Sequence, residues 1–495
     1  MDELIPLELR HLERLAPNVA RPRYARSAMS PGIVHIGLGN FHRAHQAWYT
    51  HQLMQDGRAL DWGIVGAGVR PGDGEMRRKL LAQDCLTTLI ALDPAGKSAE
   101  VTGAMLDFVP VQDNNAALIA QMTQPDIRIV SLTVTEGGYF RDPATGALDT
   151  DHPDIRFDAA HPDTPRTAFG ALVAALRQRR VQGTGPVTGL CCDNLQGNGA
   201  ILRQTVVGLA RLSDPGLADW IDAECSFPDS MVDCIVPATG ARELALAQDF
   251  GIRDAAPVTH ETFRQWVMED DFCCGRPDWD LAGAVFTPDV HRYEVMKIRV
   301  LNGGHQVICG AGALLGLETI SATMAHAPIR KMFRRICQTE IAPHVAPVPG
   351  TSVADYVDLI ERRFANPEIL DTTRRVAFDG SSRHAGFILP SIRDGLARGT
   401  PVDGLALVSA LWALYCAGRR VDGGDIAPND PLWPELTQAA QAALSCSEAW
   451  LEQVHIYGDL KDAPRFAQAF GAWHRALLAD GVDACLARFL MQPEG

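Results

Sequence analysis

The stretch that decides the fold is Gly32-Ile-Val-His-Ile-Gly37-Leu-Gly39-Asn-Phe-His-Arg-Ala-His-Gln46. Residues 32–37 are an apolar run that predicts a short buried strand, and the pattern after it is typical of a helix. Glycine at positions 37 and 39 lets the backbone turn tightly and approach a pyrophosphate at the helix N-terminus. Position 42 is histidine, so the third glycine of G-x-G-x-x-G is missing. By itself, this motif is about as consistent with an ordinary glycine turn of an α/β protein as with a dinucleotide site.

Three further apolar runs, at 62–68, 127–135 and 187–192, predict more strands, and helical patterns at 115–122 and 168–179 separate them. Strands that alternate with helices indicate a parallel sheet covered on both faces. Beyond residue 285 strand signals are sparse, and helical patterns follow at 329–340, 353–363, 405–416 and 464–478. We therefore expect an α/β, Rossmann-type domain over residues 1–285 and a mostly α-helical domain over residues 286–495.

Composition and charge argue against several classes of protein. The 495 residues carry 45 basic and 60 acidic side chains, a net charge of −15, which disfavours nucleic acid or an anionic membrane as the main partner. No apolar run reaches the roughly 18 residues that span a bilayer, and the N-terminus lacks the pattern of a secretory signal. A cytoplasmic location is the default expectation. The twelve cysteines contain no C-x-x-C pair, so we interpret them as free thiols.

The densest polar pattern is Lys297-Ile-Arg-Val-Leu-Asn302-Gly-Gly-His305, with Glu294 shortly before it. On an α-helix, Glu294, His305 and Asn302 fall roughly 60°, 80° and 140° from Lys297. The four polar side chains would then share one side of an otherwise apolar helix. Such a cluster is costly unless its members are paired or functional, so we expect the chemistry here.

Each candidate also has a structural alternative. Lys297 could be a surface lysine paired with Glu294, and Asn302 could cap a helix that ends at Gly303-Gly304. His305 could be a hydrogen-bonded core histidine. Further alternatives are a turn residue for Asn194, a cap or turn residue for Asp233 and a loop cation for Arg383.

Two patterns bear on metal and cofactor. His42 and His45 share a helix face, but no carboxylate or third ligand is spaced like a catalytic zinc set, so we predict no metal. After the second predicted strand, Asp73 could accept the 2′-hydroxyl of an adenosine ribose, whereas Arg70 could meet a 2′-phosphate. Asp73 favours NAD, and NADP stays open.

Seven motifs together resemble the polyol-specific long-chain dehydrogenases of the mannitol dehydrogenase family. They occur in family order from about residue 30 to 390. The motifs are Ile33-Val-His-Ile-Gly-Leu-Gly-Asn-Phe-His-Arg-Ala-His-Gln46, Val130-Ser-Leu-Thr-Val-Thr-Glu-Gly-Gly-Tyr139, Cys192-Asp-Asn-Leu-Gln-Gly-Asn-Gly199, Phe227-Pro-Asp-Ser-Met-Val-Asp233, Met296-Lys-Ile-Arg-Val-Leu-Asn-Gly-Gly-His305, Val345-Ala-Pro-Val-Pro-Gly350 and Asp379-Gly-Ser-Ser-Arg383.

The resemblance implies reversible, metal-independent oxidation of a polyol, such as D-mannitol or D-arabinitol, to a ketose such as D-fructose with NAD, in a cleft between the two domains. It also implies roles for single residues: Lys297 as catalytic base, Asn194 and Asn302 as donors to the oxyanion, His305 as a substrate contact, Asp233 in the substrate pocket and Glu294 in a proton relay. A lysine base must be neutral near working pH, which requires burial or a nearby cation. Glu294 lies roughly 16 Å along an α-helix from His305, which fits a relay better than substrate binding.

The matching motifs define two binding sets. We assign the cofactor to Ile36, Gly37, Gly39, Asn40, Phe41, Arg43, Asp73, Thr133 and Asn194. We assign the substrate to Asp233, Arg375 and Arg383.

The chain departs from the family pattern at a few positions. Cys234 replaces an arginine, Gly72 precedes Asp73 in place of a second acid, and Arg383 replaces a lysine, with Ala385-Gly-Phe387 where Pro-Lys-Phe is common. Arg375 and Arg383 keep a hexuronate reductase open as an alternative, because a carboxylate substrate would want an additional cation. A non-catalytic nucleotide-binding protein is the alternative from another class, and Lys297, Asn302 and His305 speak against it.

Overall fold

The chain folds as two units, residues 1–291 and 292–495. The computed structural model describes residues 4–142 and 145–493. The strands are β1 (Ile5–Pro6), β2 (Val19–Ala20), β3 (Pro31–Ile36), β4 (Gly63–Ala67), β5 (Thr87–Asp93), β6 (Gly96–Thr102), β7 (Met105–Phe108), β8 (Ile129–Leu132), β9 (Thr188–Cys191), β10 (Ser230–Asp233), β11 (Ile252–Arg253), β12 (Val258–His260), β13 (Gln265–Met268) and β14 (Val285–Phe286).

A five-stranded parallel sheet organises the first unit, in the order β7-β4-β3-β8-β9. The α-helices of this unit are α1 (Asn40–Ala44), α2 (Gln46–Gln55), α3 (Asp73–Leu81), α4 (Ala116–Thr123), α5 (Pro153–Ala160), α6 (Ala168–Gln182), α7 (Asn198–Ser213), α8 (Pro215–Glu224) and α9 (Ala241–Asp249). The chain builds the sheet outwards from β3 through β4 to β7, then returns to β8 on the other side. The order therefore reverses between β3 and β8, and this switch point is where open α/β sheets bind ligands.

Burial on both faces explains why the central strands are apolar. Val34 and Ile36 of β3 pack with residues of α4, α6, α7 and α8, whereas Ile33 packs on the other face with Leu53 and Met54 of α2. All of these side chains are almost completely buried, and each contributes about 1.5–3 kcal/mol. The Rossmann-type arrangement expected from the sequence is confirmed.

Smaller sheets complete the first unit. A four-stranded sheet has the order β12-β5-β6-β2, a three-stranded sheet the order β10-β13-β14, and β1 pairs with β11. β10 runs antiparallel to β13, with Asp233 opposite Gln265.

The second unit is built from helices. Its α-helices are α10 (Val290–Met296, which crosses the unit boundary), α11 (Gly303–Leu314), α12 (Ile320–Ala325), α13 (Ala327–Ile336), α14 (Val353–Phe364), α15 (Thr373–Ala377), α16 (Gly380–Phe387), α17 (Leu389–Arg398), α18 (Asp403–Cys416), α19 (Trp433–Ala443), α20 (Val454–Tyr457), α21 (Pro464–Asp480) and α22 (Val482–Met491). α11 is buried along almost its whole length and packs against α13, α15 and α18. The helical character expected of this region is confirmed.

Close packing around α11 depends on its glycines. A Cβ atom on Gly304 would lie 2.7 Å from the ring of Phe333 on α13, so a larger residue would force the two helices apart. The glycine-rich run that follows Asn302 therefore serves helix packing.

Two further structural observations concern membranes and thiols. Among the residues that the structure describes, no helix combines the length and the apolarity needed to cross a membrane. All twelve cysteines are free, and seven of them are buried.

Candidate active site

A π-helical turn interrupts the first long helix of the second unit at the polar stripe. α10 continues into a π-helix over Lys297–Asn302, and α11 begins at Gly303. The N–H of Gly303 donates to the carbonyl of Ile298, five residues earlier, which is the π pattern. Single π turns within α-helices occur frequently at functional sites. This one begins at the lysine and ends at the asparagine that the sequence analysis selected.

The π turn corrects the angles expected from an α-helix. Each π hydrogen-bonded ring contains one more residue than an α ring, so the chain rotates less than 100° per residue across the turn. The angles predicted for Asn302 and His305 relative to Lys297 are therefore wrong. The prediction that the whole segment is helical is confirmed.

The helix continues through Asn302 rather than ending there. Asn302 has φ −69° and ψ −41°, and Gly303 has φ −62° and ψ −42°, which are ordinary right-handed helical values. The alternative that Asn302 caps a helix end is thus wrong, and its side-chain amide is not required for capping.

Lys297 and Glu294 lie inside the protein. The lysine is 8% exposed and the glutamate 4%, so the alternative of a solvated surface pair is wrong. Burial disfavours the charged form of an amine, and a neutral amine is what a lysine base requires.

Arg299 fixes the π turn to the neighbouring helix α17. Its Nη1 donates to Oγ of Ser391 at 2.8 Å, and its Nη2 donates to Oδ2 of Asp394 at 3.1 Å. The sequence analysis did not select Arg299, because an arginine at this spacing reads as an ordinary solvated cation.

His305 is a buried, neutral imidazole. Its ring stacks on Phe364 of α14 with 4.0 Å between centroids. Burial lowers the pKa of His305 to about 3, an effect that Asp371 opposes and Arg375 reinforces. Nε2 lies 4.0 Å from Oδ2 of Asp371 and has no hydrogen-bond partner among the described residues. The alternative of a hydrogen-bonded core histidine therefore does not hold for this nitrogen.

The two arginines assigned to the substrate lie near His305. Arg375 donates through Nε and Nη2 to the two carboxylate oxygens of Asp371, both at 2.5 Å. Arg383 belongs to α16 and donates to the backbone carbonyls of Arg375 and Val376. The loop-cation alternative for Arg383 is wrong, because the residue is helical and its guanidinium is fixed to the α15 backbone.

In the first unit, the glycine turn lies at the switch point of the sheet. Gly37 follows β3 with φ +94°, and a Cβ atom there would lie 2.1 Å from the carbonyl oxygen of Thr133, which follows β8. The Thr133 hydroxyl donates to the carbonyl of Gly37 at 2.7 Å. A Cβ atom on Gly39 would meet nothing nearer than 3.9 Å. The space beside Gly39 is therefore open, and a ligand could contact the backbone there.

Several residues assigned to the cofactor support this turn from inside. Arg43 is completely buried and donates to the side chain of Asn40 at 2.7 Å and to the backbone carbonyls of Gly39 and Ala256. The Ile36 side chain is likewise enclosed in the core. The Arg43 and Ile36 side chains therefore hold the turn from inside the protein, and their assignment to the cofactor stays a prediction. Phe41 is only partly buried and stacks on His45.

Asp73 is the first residue of α3, and its side chain reaches back to Gly68, which directly follows β4. Its Oδ2 accepts the backbone N–H of Arg70 at 2.9 Å, and its side chain fills the space beside Gly68. This contact holds the carboxylate over the end of the strand, where a ribose hydroxyl is bound in Rossmann-type domains.

The segment that carries Asn194 is held by two buried neighbours. Asp193 accepts the backbone N–H groups of Val134 and Thr135 at 3.0 and 2.9 Å. Asn198 donates to the carbonyl of Ser230 at 2.7 Å and accepts its N–H at 2.8 Å. Asn194 itself lies exposed in the bend after β9. Asp193 and Asn198 were not predicted as supports, although both belong to the Cys192–Gly199 motif.

Asp233 is the last residue of β10 and is 5% exposed. It is a strand residue rather than a helix cap or turn residue, so that alternative is wrong.

The histidines near the glycine turn form a buried stack. His42 stacks on His35 with 3.5 Å between ring centroids, and Nε2 of His45 lies 3.0 Å from the carbonyl of Gln265. Residues 4–142 and 145–493 contain no group of three or more His, Cys, Asp or Glu side chains arranged to hold a metal ion.

Two family models match the chain, one for each unit. Residues 31–281 match the mannitol dehydrogenase Rossmann domain, and residues 289–478 match the mannitol dehydrogenase C-terminal domain.

Relatives that match over nearly the whole chain include two mannitol 2-dehydrogenases. A mannitol 2-dehydrogenase of Cereibacter sphaeroides is 54% identical over 96% of this chain and 99% of its own length. The Pseudomonas fluorescens mannitol 2-dehydrogenase, solved as a ternary complex with NAD and D-mannitol, matches with a TM-score of 0.88 and 40% identity over 99% of this chain and 100% of that chain. A D-sorbitol dehydrogenase in substrate-free form matches with a TM-score of 0.90 and 32% identity over 97% and 100%.

Proposed function

We infer, because this chain belongs to the mannitol dehydrogenase family in both of its units, that it is an NAD-dependent polyol dehydrogenase. We assign D-mannitol as the substrate and D-fructose as the product, in a reversible reaction. The observation that carries the assignment is the helix in which a buried lysine and an asparagine bracket a π turn, followed by a neutral histidine.

The residues of the first unit fit NAD. Gly39 leaves free space at the start of α1, and Gly37 lies at the switch point of the sheet. Asp73 presents a carboxylate at the end of the neighbouring strand, which suits a ribose 2′-hydroxyl. When bound, NAD accepts the hydride from the carbinol carbon.

The helix around the π turn supplies the proton chemistry. We assign Lys297 Nζ as the base that takes the hydroxyl proton, since its burial disfavours the ammonium form. The Asn302 side-chain NH₂ donates to the oxygen as negative charge develops on it. Neutral His305 contacts the substrate through a ring nitrogen, and its low pKa keeps it uncharged at working pH.

Three further roles rest on the family motifs. We assign Asn194 as a second amide donor to the oxygen and Asp233 as a hydroxyl acceptor in the substrate pocket. We assign Glu294, buried one turn before Lys297, to the relay that passes the proton onward.

The hexuronate alternative is not favoured by the relatives. Those that match this chain over nearly its whole length are named mannitol 2-dehydrogenase, and one was solved with NAD and D-mannitol.

A substrate panel tests the assignment. D-mannitol, D-arabinitol, D-sorbitol, D-mannonate and D-altronate are each assayed with NAD and with NADP, with and without EDTA, by absorbance of the reduced cofactor. We expect the highest kcat/KM with D-mannitol and NAD, unchanged by EDTA. Absence of turnover with every polyol, or loss of activity in EDTA, would overturn the proposal.

Lys297→Ala tests the base. We expect kcat to fall roughly 10²–10⁴-fold, the usual contribution of general base catalysis, with the Kd for NAD little changed. Lys331→Ala, which removes an exposed lysine of α13, is the matched control and should retain wild-type rates. Near-normal turnover of Lys297→Ala would remove this residue as the base.

A further inference from the structure

A cavity rich in arginine opens in the second unit. It has a volume of about 380 Å³ and is lined by Thr372, Arg374, Arg375, Phe378, Arg383 and Asn429. Two of these residues, Arg375 and Arg383, are the arginines assigned to the substrate. Three guanidinium groups around one small cavity would suit a carboxylate ligand, whereas a polyol carries no charge.

Two of the three arginines around the cavity, Arg374 and Arg383, donate hydrogen bonds to backbone carbonyls. Arg374 donates to the backbone carbonyls of Ala427 and Pro428 at 2.9 and 2.8 Å. Arg383 donates to the carbonyls of Arg375 and Val376 at 3.2 and 2.9 Å. Backbone carbonyls thus fix both side chains in place.

Arg375 differs because a carboxylate engages it. Asp371 accepts from Nε and from Nη2, one oxygen each at 2.5 Å. This is the paired geometry by which arginine otherwise binds a carboxylate ligand. Asp371 is 6% exposed, whereas the Arg375 side chain is 60% exposed. The acid therefore lies behind the arginine and occupies one of its two-donor edges.

Asp371 also lies beside His305. Its Oδ2 is 4.0 Å from Nε2 of the imidazole, so one buried carboxylate lies next to both the histidine and the arginine of the substrate set. The backbone carbonyl of Asp371 accepts the N–H of Ile320, which fixes the residue at the base of α12. A negative substrate group near His305 and Arg375 would lie within a few ångströms of this charge, and like charges in a partly buried site repel strongly.

We propose that Asp371 is a specificity-determining residue that directs the site towards neutral polyols, because its carboxylate both occupies Arg375 and repels an anionic substrate. The proposal rests on the polyol dehydrogenase function inferred above. Asp371 would act by excluding anions: a sugar alcohol binds, whereas the aldonate with the same carbon chain is repelled.

Asp371→Asn is the direct test, with D-mannonate as the anionic probe. The amide keeps the size of the side chain and removes its charge. D-mannonate is measured as a competitive inhibitor of D-mannitol oxidation, so its Ki is obtained even without its own turnover. We expect the ratio of the mannonate Ki to the mannitol KM to fall at least tenfold, and the gain to shrink as ionic strength rises. An unchanged or increased ratio would overturn the proposal.

Companion variants separate charge from structure. Asp371→Glu keeps the charge and should retain the wild-type ratio. Glu361→Gln removes another buried carboxylate, which accepts from Arg330 at 2.6 Å and Arg334 at 2.8 Å; it should lower thermal stability without moving the ratio. A tenfold fall of the ratio in either variant would contradict the assignment to the charge of Asp371.

Failure of the proposed role of Asp371 can be told apart from failure of the proposed polyol dehydrogenase function. Should Asp371→Asn not fold, Asp371→Ser provides the same measurement, because it also removes the charge; an unchanged or increased ratio of the mannonate Ki to the mannitol KM overturns the proposal. Wild-type protein that oxidises no polyol contradicts the proposed function itself. Wild-type mannitol oxidation with an unchanged ratio in Asp371→Asn contradicts only the role of Asp371.

Discussion

At the scale of single residues, the two glycines of the nucleotide turn serve different purposes. Gly37 adopts φ +94°, and a Cβ atom on it would overlap the backbone of Thr133. Gly39 has ordinary backbone angles, and a Cβ atom on it would project into open space. The first glycine is therefore required by the protein itself, and we infer that the second is required by the cofactor.

This difference predicts opposite effects of two alanine substitutions. Gly37→Ala should destabilise the first unit by about 2–4 kcal/mol, since it combines left-handed strain with a backbone clash. Gly39→Ala should leave the thermal unfolding temperature nearly unchanged and weaken NAD binding at least tenfold. Thermal unfolding and titration of NAD by protein fluorescence measure the two quantities. Equal loss of stability in both variants would contradict the assignment of Gly39 to the cofactor.

At the scale of elements, the π turn sets the geometry of the helix to which we assign the proton chemistry. It places Lys297 and Asn302 at its two ends, and Arg299 within it is bonded to α17. A π turn accommodates one residue more than the α-helix around it. The relative direction of the base and the amide therefore depends on that additional residue.

Deletion of Ile298 tests this dependence. Removal of one residue should allow α10 and α11 to join as a continuous α-helix, with far-UV circular dichroism little changed. We expect kcat to fall at least 100-fold, because misplacement of a catalytic group by about 1 Å already costs rate on this scale. Ile298→Ala keeps the number of residues and should retain most of the turnover. An active deletion variant would show that the π turn is dispensable.

At the scale of the whole molecule, buried neutral histidines tie stability to pH. Burial lowers the pKa to about 3 for four of these side chains, His35, His260, His305 and His384. Burial also lowers the pKa of His42 well below its usual value. The unfolded chain binds protons at these positions below about pH 6.5, whereas the folded chain does not. Their contribution to stability is thus present above pH 6.5 and is lost as pH falls towards 3.

One buried acid has the opposite effect. Burial raises the pKa of Glu340 to about 7, so the folded protein holds a proton there that the unfolded chain releases above about pH 4.5. Five histidines outweigh this single group. We expect the thermal unfolding temperature to fall by roughly 5–15 °C between pH 7.5 and pH 5.5. Differential scanning fluorimetry at constant ionic strength measures it, and an unfolding temperature that is constant or higher at pH 5.5 would contradict the expectation.

The parts of the fold that were predicted are those with a local signal. β3, β4, β8 and β9 were expected from apolar runs; β4, β8 and β9 lie within the runs that predicted them, and β3 begins one residue before its run, at Pro31. β7 was missed because an exposed Asp107 interrupts its apolar residues, whereas the equally short β8 and β9 lie within longer apolar runs. The π turn was missed because it is a property of backbone hydrogen bonding.

The sequence by itself determined the class of protein, because apolar periodicity and ordered motifs are local properties of the chain. The tertiary structure alone decided which polar groups are buried and which of them meet. Asp371 meets His305 across 66 positions of the chain, and Arg43 meets the carbonyl of Ala256 across 213. Such pairings follow from how elements pack rather than from spacing along the sequence. For that reason the support that Arg43 gives the glycine turn, and the role proposed for Asp371, could not be predicted from spacing along the sequence.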